Sequence, residues 1–224
     1  MTDAYAAAPL PAFRLIPSQF PPIGLFDSVS MAADLAAVME LVGWTNDRFV
    51  ADRIARLPRS EWAYGRPNSS IVMGAFLHVP PGGMRFNGAE LGAWYAADDL
   101  RTSAAEVGHH LRRETLARAL PSMSRRYRAY SATLLGEYLD IRGQQLARAD
   151  IYASDRYDAS QMLGEKMRAS GGAGILYDSL RRRHGQNVAA HRPLNITEIV
   201  QTDHFEITVS VAIRTIEVRK LTAT

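Results

Sequence analysis

The stretch GGMRFNGAELGAWYAADDLRTSAAEVGHHL, residues 82–111, decides how we interpret the chain. Its composition predicts a loop, a short strand, a second loop and a helix, in that order. Arg85 falls in the first loop, Tyr95 in the strand and Glu106 in the first turn of the expected helix. A cation, an aromatic ring and an anion are thus carried by three short neighbouring elements, and we expect them to converge on one cleft.

The composition is that of an ordinary soluble globular protein, since 47% of the 224 residues are hydrophobic and 22% are charged. No apolar run approaches the roughly 20 residues that cross a bilayer, and the first residues lack the basic segment of a secretory signal. The chain has no cysteine, which excludes disulfides and thiolate chemistry and fits the reducing cytoplasm, where we expect the protein. The net charge of +3 is too small to indicate a nucleic-acid-binding protein.

The first part of the chain predicts an arm and a pair of helices. Residues 1–27 are rich in proline, which favours an extended segment lying on the surface of the domain. Capping side chains and apolar spacing predict helices at approximately residues 28–42 and 46–57. We therefore divide the chain into an N-terminal arm with a helical extension, residues 1–65, and a main domain, residues 66–224.

The main domain intermixes strands and helices. Expected strands cover residues 70–79, 92–97, part of 127–141, 175–177, 188–190 and 205–213, and expected helices cover residues 102–120 and 158–169. The strict alternation of residues 205–213 is the clearest strand signal, and its slip at residues 214–215 predicts a bulge or bend. Because the elements lack regular βαβ spacing, the predicted fold class is α+β.

Arg85 and Tyr95 are the first two candidate site residues. Arg85 follows two glycines, which allow close approach of a ligand to the backbone, and its planar fork suits phosphate oxygens. The alternative is a solvated arginine after a hairpin turn. Tyr95 neighbours Trp94, and adjacent strand residues face opposite ways, so that one ring can pack in the core while the other lines a cleft. The alternative is that both rings belong to the core.

Glu106 and His110 lie on the expected helix. Ser103 and Glu106 fit the S-x-x-E capping box, in which the glutamate reaches back to the start of its own helix. The alternative is a carboxylate that faces the cleft and stabilises a cation. His110 follows one turn later and is expected near the site, unless it is a surface histidine. His109 and His110 diverge by about 100° on a helix, so they do not form a chelating pair, and we expect no metal site.

Ser179 is the candidate in the last third of the chain. It follows a short expected strand, and its hydroxyl can bind a phosphate or a sugar hydroxyl; the alternative is a turn serine. Residues 171–174 are glycine-rich but follow a helix, so they predict a helix stop rather than a dinucleotide loop. Paired and triple arginines at residues 112–113, 125–126 and 181–183 leave a nucleic-acid-binding patch as a further alternative.

Taken together, these segments resemble the RES domain, a family named for an arginine, a glutamate and a serine. The matching pieces are residues 82–111 and the segment ASDRYDASQMLGEKMRASGGAGILYDSLRRRHGQNVAAHRP, residues 153–193. The resemblance covers roughly residues 70–193. Carried over one by one, the family's functional positions fall on Arg85, Tyr95, Glu106 and Ser179.

The sequence departs from the family pattern at two points. Phe86 stands where many members have tryptophan, and Tyr177-Asp178 precedes the serine where others often have a valine or tyrosine and a proline. The first change conserves an aromatic ring, whereas the second leaves the geometry of the serine loop open.

The resemblance implies an ADP-ribosyltransferase-like fold and the role of toxin in a bacterial toxin–antitoxin pair. The substrate implied is NAD, cleaved without a metal. Glu106 would stabilise the positively charged ribose, Arg85 would bind the diphosphate, Tyr95 would stack on nicotinamide and Ser179 would bind ribose or phosphate. We add Asn87 and His110 to the expected NAD-binding residues.

The resemblance leaves the acceptor of ADP-ribose open. We favour transfer to a protein, because the N-terminal extension offers a docking surface; the alternative is an NAD phosphorylase or glycohydrolase. The partner implied is a helix-turn-helix antitoxin that occludes the active site. Neither a membrane nor direct nucleic-acid binding is expected.

Overall fold

A nine-stranded sheet organises the described part of this computed structural model, which comprises residues 3–19, 26–27, 29 and 48–222. Its strands are β1 (Ala4–Ala7), β2 (Ala12–Pro17), β3 (Trp94–Ala97), β4 (Ser122–Leu134), β5 (Glu137–Asp140), β6 (Gly174–Asp178), β7 (Gln186–Ala190), β8 (Ile196–Ser210) and β9 (Ile216–Leu221). The helices are α1 (Arg48–Ala55), α2 (Ser69–Leu77), α3 (Leu100–Ala117) and α4 (Asp158–Ala169), with short 3₁₀ turns at Arg59–Glu61 and Pro193–Asn195.

The strands follow the spatial order β1-β5-β6-β7-β3-β2-β4-β8-β9. The β5–β6 pair is parallel, and the other neighbouring pairs in the described sheet are antiparallel. A mixed sheet with flanking helices confirms the predicted α+β class. None of the described helices is long and apolar enough to cross a membrane.

The N-terminal arm contributes an interior strand rather than a surface layer. β2 pairs with β4 along its length and with β3 at Phe13 and Ala97. Its side chains are buried on both faces, since Ala12 belongs to the main core cluster and Leu15 to the cluster beneath α3. Apart from Val29, the expected helix at residues 28–42 lies outside the described residues. The second helix of the pair is observed as α1. The division of the chain after residue 65 stays a prediction.

The predicted strand at residues 70–79 is wrong, because this segment forms α2. Val72, Met73 and Phe76 are fully buried, and the helix is apolar around its whole circumference. A segment that is apolar on all sides shows neither helical nor strand periodicity, so its short apolar run did not distinguish a helix from a strand. Gly92 lies two residues before β3 and packs closely against α2, since a Cβ there would lie 2.2 Å from the Ala75 carbonyl oxygen.

α3 begins earlier than predicted, and the capping box is wrong. Asp99 is the N-cap, and its Oδ1 accepts a hydrogen bond of 2.6 Å from the backbone N–H of Thr102. The hydroxyl of Ser103 instead donates to the Phe13 carbonyl of β2 at 2.9 Å. Glu106 therefore lies in the second turn, where its side chain is not needed for capping.

α3 is held against the sheet by an apolar stripe. Leu111 is 1% exposed and packs in a cluster with Ala104, Tyr127 and Ile207; burial of such a side chain stabilises the fold by about 2 kcal/mol. Gly108 permits close contact with β9, since a Cβ there would lie 2.7 Å from the side chain of Ile216. This packing fixes the helix face that carries Glu106 relative to the strands.

The other predicted elements agree with the structure to within a few residues. The predictions at 92–97, 175–177, 188–190 and 158–169 correspond to β3, β6, β7 and α4, and residues 127–141 contain parts of β4 and β5. The helix stop after α4 is confirmed, with Gly171 at a φ of 82°. Residues 205–210 of the alternating run form the end of the longer β8. Residues 211–213 and the slip at 214–215 lie in the connection to β9.

Candidate active site

A cavity of about 220 Å³ opens where four adjacent strands pass beneath α3. Its floor is a row of paired residues, Tyr177 on β6, Asn187 on β7, Ala97 on β3 and Phe13 on β2. Tyr95 precedes Ala97 by two positions and faces the same side of the sheet. The strand order thus brings residues from four distant parts of the chain to one surface.

Glu106 projects from α3 into this cavity and is held by one carboxylate oxygen. Its Oε1 accepts a hydrogen bond of 2.7 Å from the Ser179 hydroxyl and another of 2.7 Å from the Asn187 amide nitrogen. Among the described residues, no side chain or backbone group bonds Oε2. The carboxylate is therefore fixed in orientation while one oxygen remains available to a ligand.

Ser179 shows the alternative role considered from the sequence, and its contact with a phosphate or a sugar hydroxyl stays a prediction. It is a turn serine, because its Oγ accepts the backbone N–H groups of Arg181 and Arg182, each at 3.1 Å, and its own N–H bonds the Gly185 carbonyl. Its single hydroxyl hydrogen is donated to Glu106. At 7% exposure, the residue acts on the site through that carboxylate.

Arg85 also lines the cavity. Its Nη1 donates to the carbonyl oxygens of Ile151 and Ala153, at 3.1 and 2.9 Å, and its guanidinium lies 4.8 Å from the ring centre of Tyr157. Among the described residues its other N–H groups have no partner. The side chain is therefore oriented by the loop that precedes α4, with part of its fork open to a ligand.

The loop that carries Arg85 is fixed by the hydroxyl of Tyr95. This hydroxyl accepts the Phe86 backbone N–H and donates to the Asn87 Oδ1, both at 2.8 Å. Asn87 is fully buried and does not line the cavity, so the structure gives it a supporting position behind the site. The tyrosine ring itself lines the cavity, and burial raises the pKa of its hydroxyl, which keeps it neutral.

His191 supports the same loop from the core. The ring is fully buried, and burial, followed by the charge of Arg168, lowers the pKa of His191 to about 3. The neutral ring lies with Nε2 3.1 Å from the Phe86 carbonyl oxygen, which can only accept, so Nε2 carries the hydrogen. Gly164 of α4 allows this loop to approach, because a Cβ there would lie 1.9 Å from the same oxygen.

Aromatic rings form much of the remaining wall. Tyr157 and Tyr177 line the cavity, and Tyr177 meets Phe86 edge to face with ring centres 4.8 Å apart. The phenylalanine at position 86 therefore fills the space behind Tyr177. Burial raises the pKa of Tyr177, so it presents a neutral ring and hydroxyl to the site.

His110 lines the cavity and is an exposed residue. The ring centres of His109 and His110 lie 5.6 Å apart. The predicted proximity of His110 to Glu106 is therefore observed. In the described residues, no group of three or more histidine, aspartate and glutamate side chains is arranged to hold a metal ion.

Several residues of the site were not predicted, among them Asn187 and Arg14. Asn187 lies in the stretch that resembles the RES domain but was not singled out there, although it bonds Glu106 directly. Arg14 had no signal at all: it lies on the N-terminal arm, which was expected outside the catalytic domain, yet it lines the cavity.

Comparison with known proteins extends this picture. The sequence model described as the RES domain matches residues 52–210. The uncharacterized protein y4oC of Sinorhizobium fredii is 24% identical over 195 residues, which cover 86% of this chain and 80% of that protein. A chain in the crystal structure of the M. tuberculosis MbcT–MbcA toxin–antitoxin complex is 20% identical and aligns with a TM-score of 0.40, covering 55% of this chain and 73% of that one.

Proposed function

Since this chain belongs to the RES domain family, we propose that it is the toxin of a toxin–antitoxin pair and cleaves the bond between nicotinamide and ribose in NAD. The proposed fate of ADP-ribose is transfer to a protein acceptor. The observation that carries the proposal is Glu106, which lines a cavity together with tyrosines and arginines. Its Oε1 is held by Ser179 and Asn187, while Oε2 has no partner among the described residues.

The chemistry that needs such a carboxylate is heterolysis at the ribose C1′ atom. The electron pair of the C1′–N bond leaves with nicotinamide, whose ring nitrogen changes from cationic to neutral. The sugar becomes oxocarbenium-like, as in glycoside cleavage, so a fixed anion nearby lowers the barrier. An acceptor then forms a bond to C1′ and releases its proton.

The other side chains suit the remaining parts of NAD. Tyr95 and Tyr157 offer faces for a flat ring, and the open part of the Arg85 fork suits the diphosphate. Ser179 and Asn187 act as positioning residues for Glu106, since both donate to the same oxygen. The contact of Ser179 with ribose or phosphate, and those of Asn87 and His110 with NAD, stay predictions.

The acceptor determines whether the reaction is transfer, phosphorolysis or hydrolysis, and one experiment distinguishes these three. NAD labelled in its adenosine half is incubated with the purified protein, with and without cell lysate and phosphate, and nicotinamide release is followed in parallel. Label in a protein band supports the transferase, whereas label in a phosphorylated or free ADP-ribose supports phosphorolysis or hydrolysis. Absence of nicotinamide release under all conditions overturns the proposal.

The proposed partner is a helix-turn-helix antitoxin that covers the mouth of the cavity. Expression of the chain alone is expected to arrest growth, and co-expression of such an antitoxin to restore it and suppress nicotinamide release. Growth arrest that persists in the Glu106→Gln variant would contradict NAD cleavage as its cause.

A further inference from the structure

Strand β9 forms one edge of the described sheet, and its outer side is open. It pairs with β8 along its length, and no other described strand pairs with it. Four of its six residues are exposed, and the apolar Val218 among them is 47% exposed. An open edge presents unpaired backbone N–H and C=O groups, which can bind a further strand.

One face of β9 carries the end of a row of alternating charges. Arg126 on β4 is the register partner of Glu206 on β8, which is the register partner of Arg219 on β9. The Glu206 carboxylate lies 3.9 Å from Nε of Arg126 and 2.7 Å from Nη2 of Arg219. The row is therefore positive, negative and positive towards the open edge, and a carboxylate on an added strand would extend it.

Glu217 is a carboxylate of the right kind on the same edge. It lies two residues before Arg219, so both side chains are on the same face of β9. Glu217 is exposed, and among the described residues it forms no ion pair. Its register partner on β8 is Thr208, which carries no charge. The edge thus presents an anion and a cation side by side, an arrangement that becomes complementary to itself when the strand is turned end to end.

A second copy of this chain is the partner that fits such an edge. Two copies related by a twofold axis perpendicular to the sheet pair their β9 strands antiparallel, and the axis passes through one residue of β9. An axis at Glu217 or at Arg219 places like charges directly opposite each other, which is destabilising. An axis at Val218 places Glu217 of each copy opposite Arg219 of the other.

The opposite face of β9 agrees with the axis at Val218. Ile216 and Val218 line an apolar groove of about 300 Å³ together with residues of α3 and β8. With this axis, Val218 meets Val218 of the second copy, and Ile216 meets the aliphatic part of Lys220 of the second copy. The pairing therefore covers the exposed apolar side chain beside the groove.

We propose that this chain forms a homodimer by antiparallel pairing of two β9 strands, with the twofold axis at Val218. Charged side chains on an edge strand commonly prevent pairing, but in this register each meets an opposite charge. β9 is separated from β2 by β4 and β8, so the interface leaves the Glu106 cavity open and does not depend on NAD cleavage. The contact is small for a protein interface, so the dimer is expected to dissociate on dilution.

The first test is sedimentation velocity of the purified full chain over a range of protein concentrations. Glu217→Arg faces Arg219 of the second copy, so the dissociation constant of the dimer is expected to rise at least about 10-fold. The control Glu137→Arg makes the same change at an exposed position of β5, which has a strand on each side, and is expected to dimerise as the parent does. A parent that is monomeric at every concentration overturns the proposal, as does an E217R variant that dimerises like the parent.

Mixing two variants tests the predicted charge pairs. Arg219→Glu alone faces Glu217 of the second copy and is expected to dimerise weakly, as E217R does. In a mixed dimer of R219E with E217R both opposite-charge pairs are restored, so the mixture is expected to dimerise nearly as well as the parent. A mixture of two folded variants that stays monomeric while the parent dimerises overturns the proposal.

A cysteine at the axis tests the register without altering any charge. The chain has no cysteine, so a disulfide in Val218→Cys can form only between copies. Directly opposite residues of an antiparallel pair have Cα atoms about 4.5–5.5 Å apart, which suits a disulfide. Under mild oxidation V218C is expected to cross-link faster than Glu217→Cys, whose two cysteines are offset by two positions, and faster than the control Glu137→Cys. Equal rates in the three variants, or a faster E217C, overturn the proposal.

Discussion

The amide nitrogen of Asn187 lies 2.7 Å from Oε1 of Glu106, so a residue of β7 orients the carboxylate carried by α3. This contact joins two elements that are far apart in the sequence. It also explains why the orientation of Glu106 depends on the sheet as well as on its own helix.

Replacement of Asn187 by leucine is expected to slow nicotinamide release while the fold persists. The change removes one hydrogen bond to a charged group, worth about 1.5–3 kcal/mol, which corresponds to roughly 10–100-fold in rate. The rate of nicotinamide release is measured at saturating NAD, with thermal melting as the check on folding. A folded variant with the parent rate would show that the contact does not position the carboxylate.

Replacement of Tyr95 by phenylalanine removes the hydroxyl and keeps the ring, so it separates the contributions of these two groups. Loss of the hydroxyl leaves the Phe86 N–H and the Asn87 Oδ1 without their partner, so stability is expected to fall by about 1–3 kcal/mol. The ring remains, and the affinity for NAD is expected to exceed that of Tyr95→Leu, in which the ring is lost. Denaturant unfolding and NAD titration are the measurements. Equal NAD affinities in the two variants would reject stacking by the ring.

The lowered pKa of His191 gives a prediction for how the free energy of unfolding depends on pH. The folded pKa is lowered to about 3 from the ordinary value of 6.5, so the unfolded chain binds more protons between these values. Stability therefore falls as the pH drops through this window, by up to about 1.4 kcal/mol per pH unit. His109, whose pKa is lowered to about 4 by desolvation and then by Arg181, acts with the same sign.

The variant His191→Leu isolates the first contribution, because His109 is common to both proteins. At pH 7.5 the variant is expected to be less stable than the parent, since the Phe86 carbonyl loses its donor. The difference in unfolding free energy between the parent and the variant is expected to shrink towards pH 5. At that pH only the parent keeps a buried histidine neutral that the unfolded chain would protonate. A difference that is the same at both pH values would contradict this assignment.

Substitutions of Asp99 test whether this residue is the N-cap of α3. Burial acts to raise the pKa of Asp99, but hydrogen bonds from Thr102 and Arg182 outweigh it and hold the pKa below the ordinary value. Asp99→Ala removes the cap and is expected to cost about 1 kcal/mol in stability. Asp99→Asn keeps the cap and loses the charge opposite Arg182, so denaturant unfolding should place it between the parent and Asp99→Ala. Equal stability of the alanine variant and the parent would contradict the cap.

The contrast between the predicted and observed elements has physical causes. The end of helix α4 was predicted because two glycines follow it, which is a local signal. α2 was missed because it is apolar on all sides and therefore has no helical pattern. The start of α3 was misassigned because Ser103 and Asp99 both have capping side chains, and tertiary contact with Phe13 engages the serine.

The site was predictable where a short stretch carries it and unpredictable where the sheet assembles it. Arg85, Tyr95 and Glu106 lie within one stretch, and all three line the same cavity. Asn187 and Arg14 reach it because β3 lies between β7 and β2, an order that no local spacing reveals.

The most direct measurement of the central claim is nicotinamide release from NAD by the parent and by Glu106→Gln. Glutamine has the same shape, and its carbonyl oxygen can still accept from Ser179 and Asn187, so the variant is expected to fold as the parent does. Loss of the negative charge opposite the ribose is expected to reduce the rate at least about 100-fold. A folded Glu106→Gln protein that releases nicotinamide at the parent rate would contradict the account.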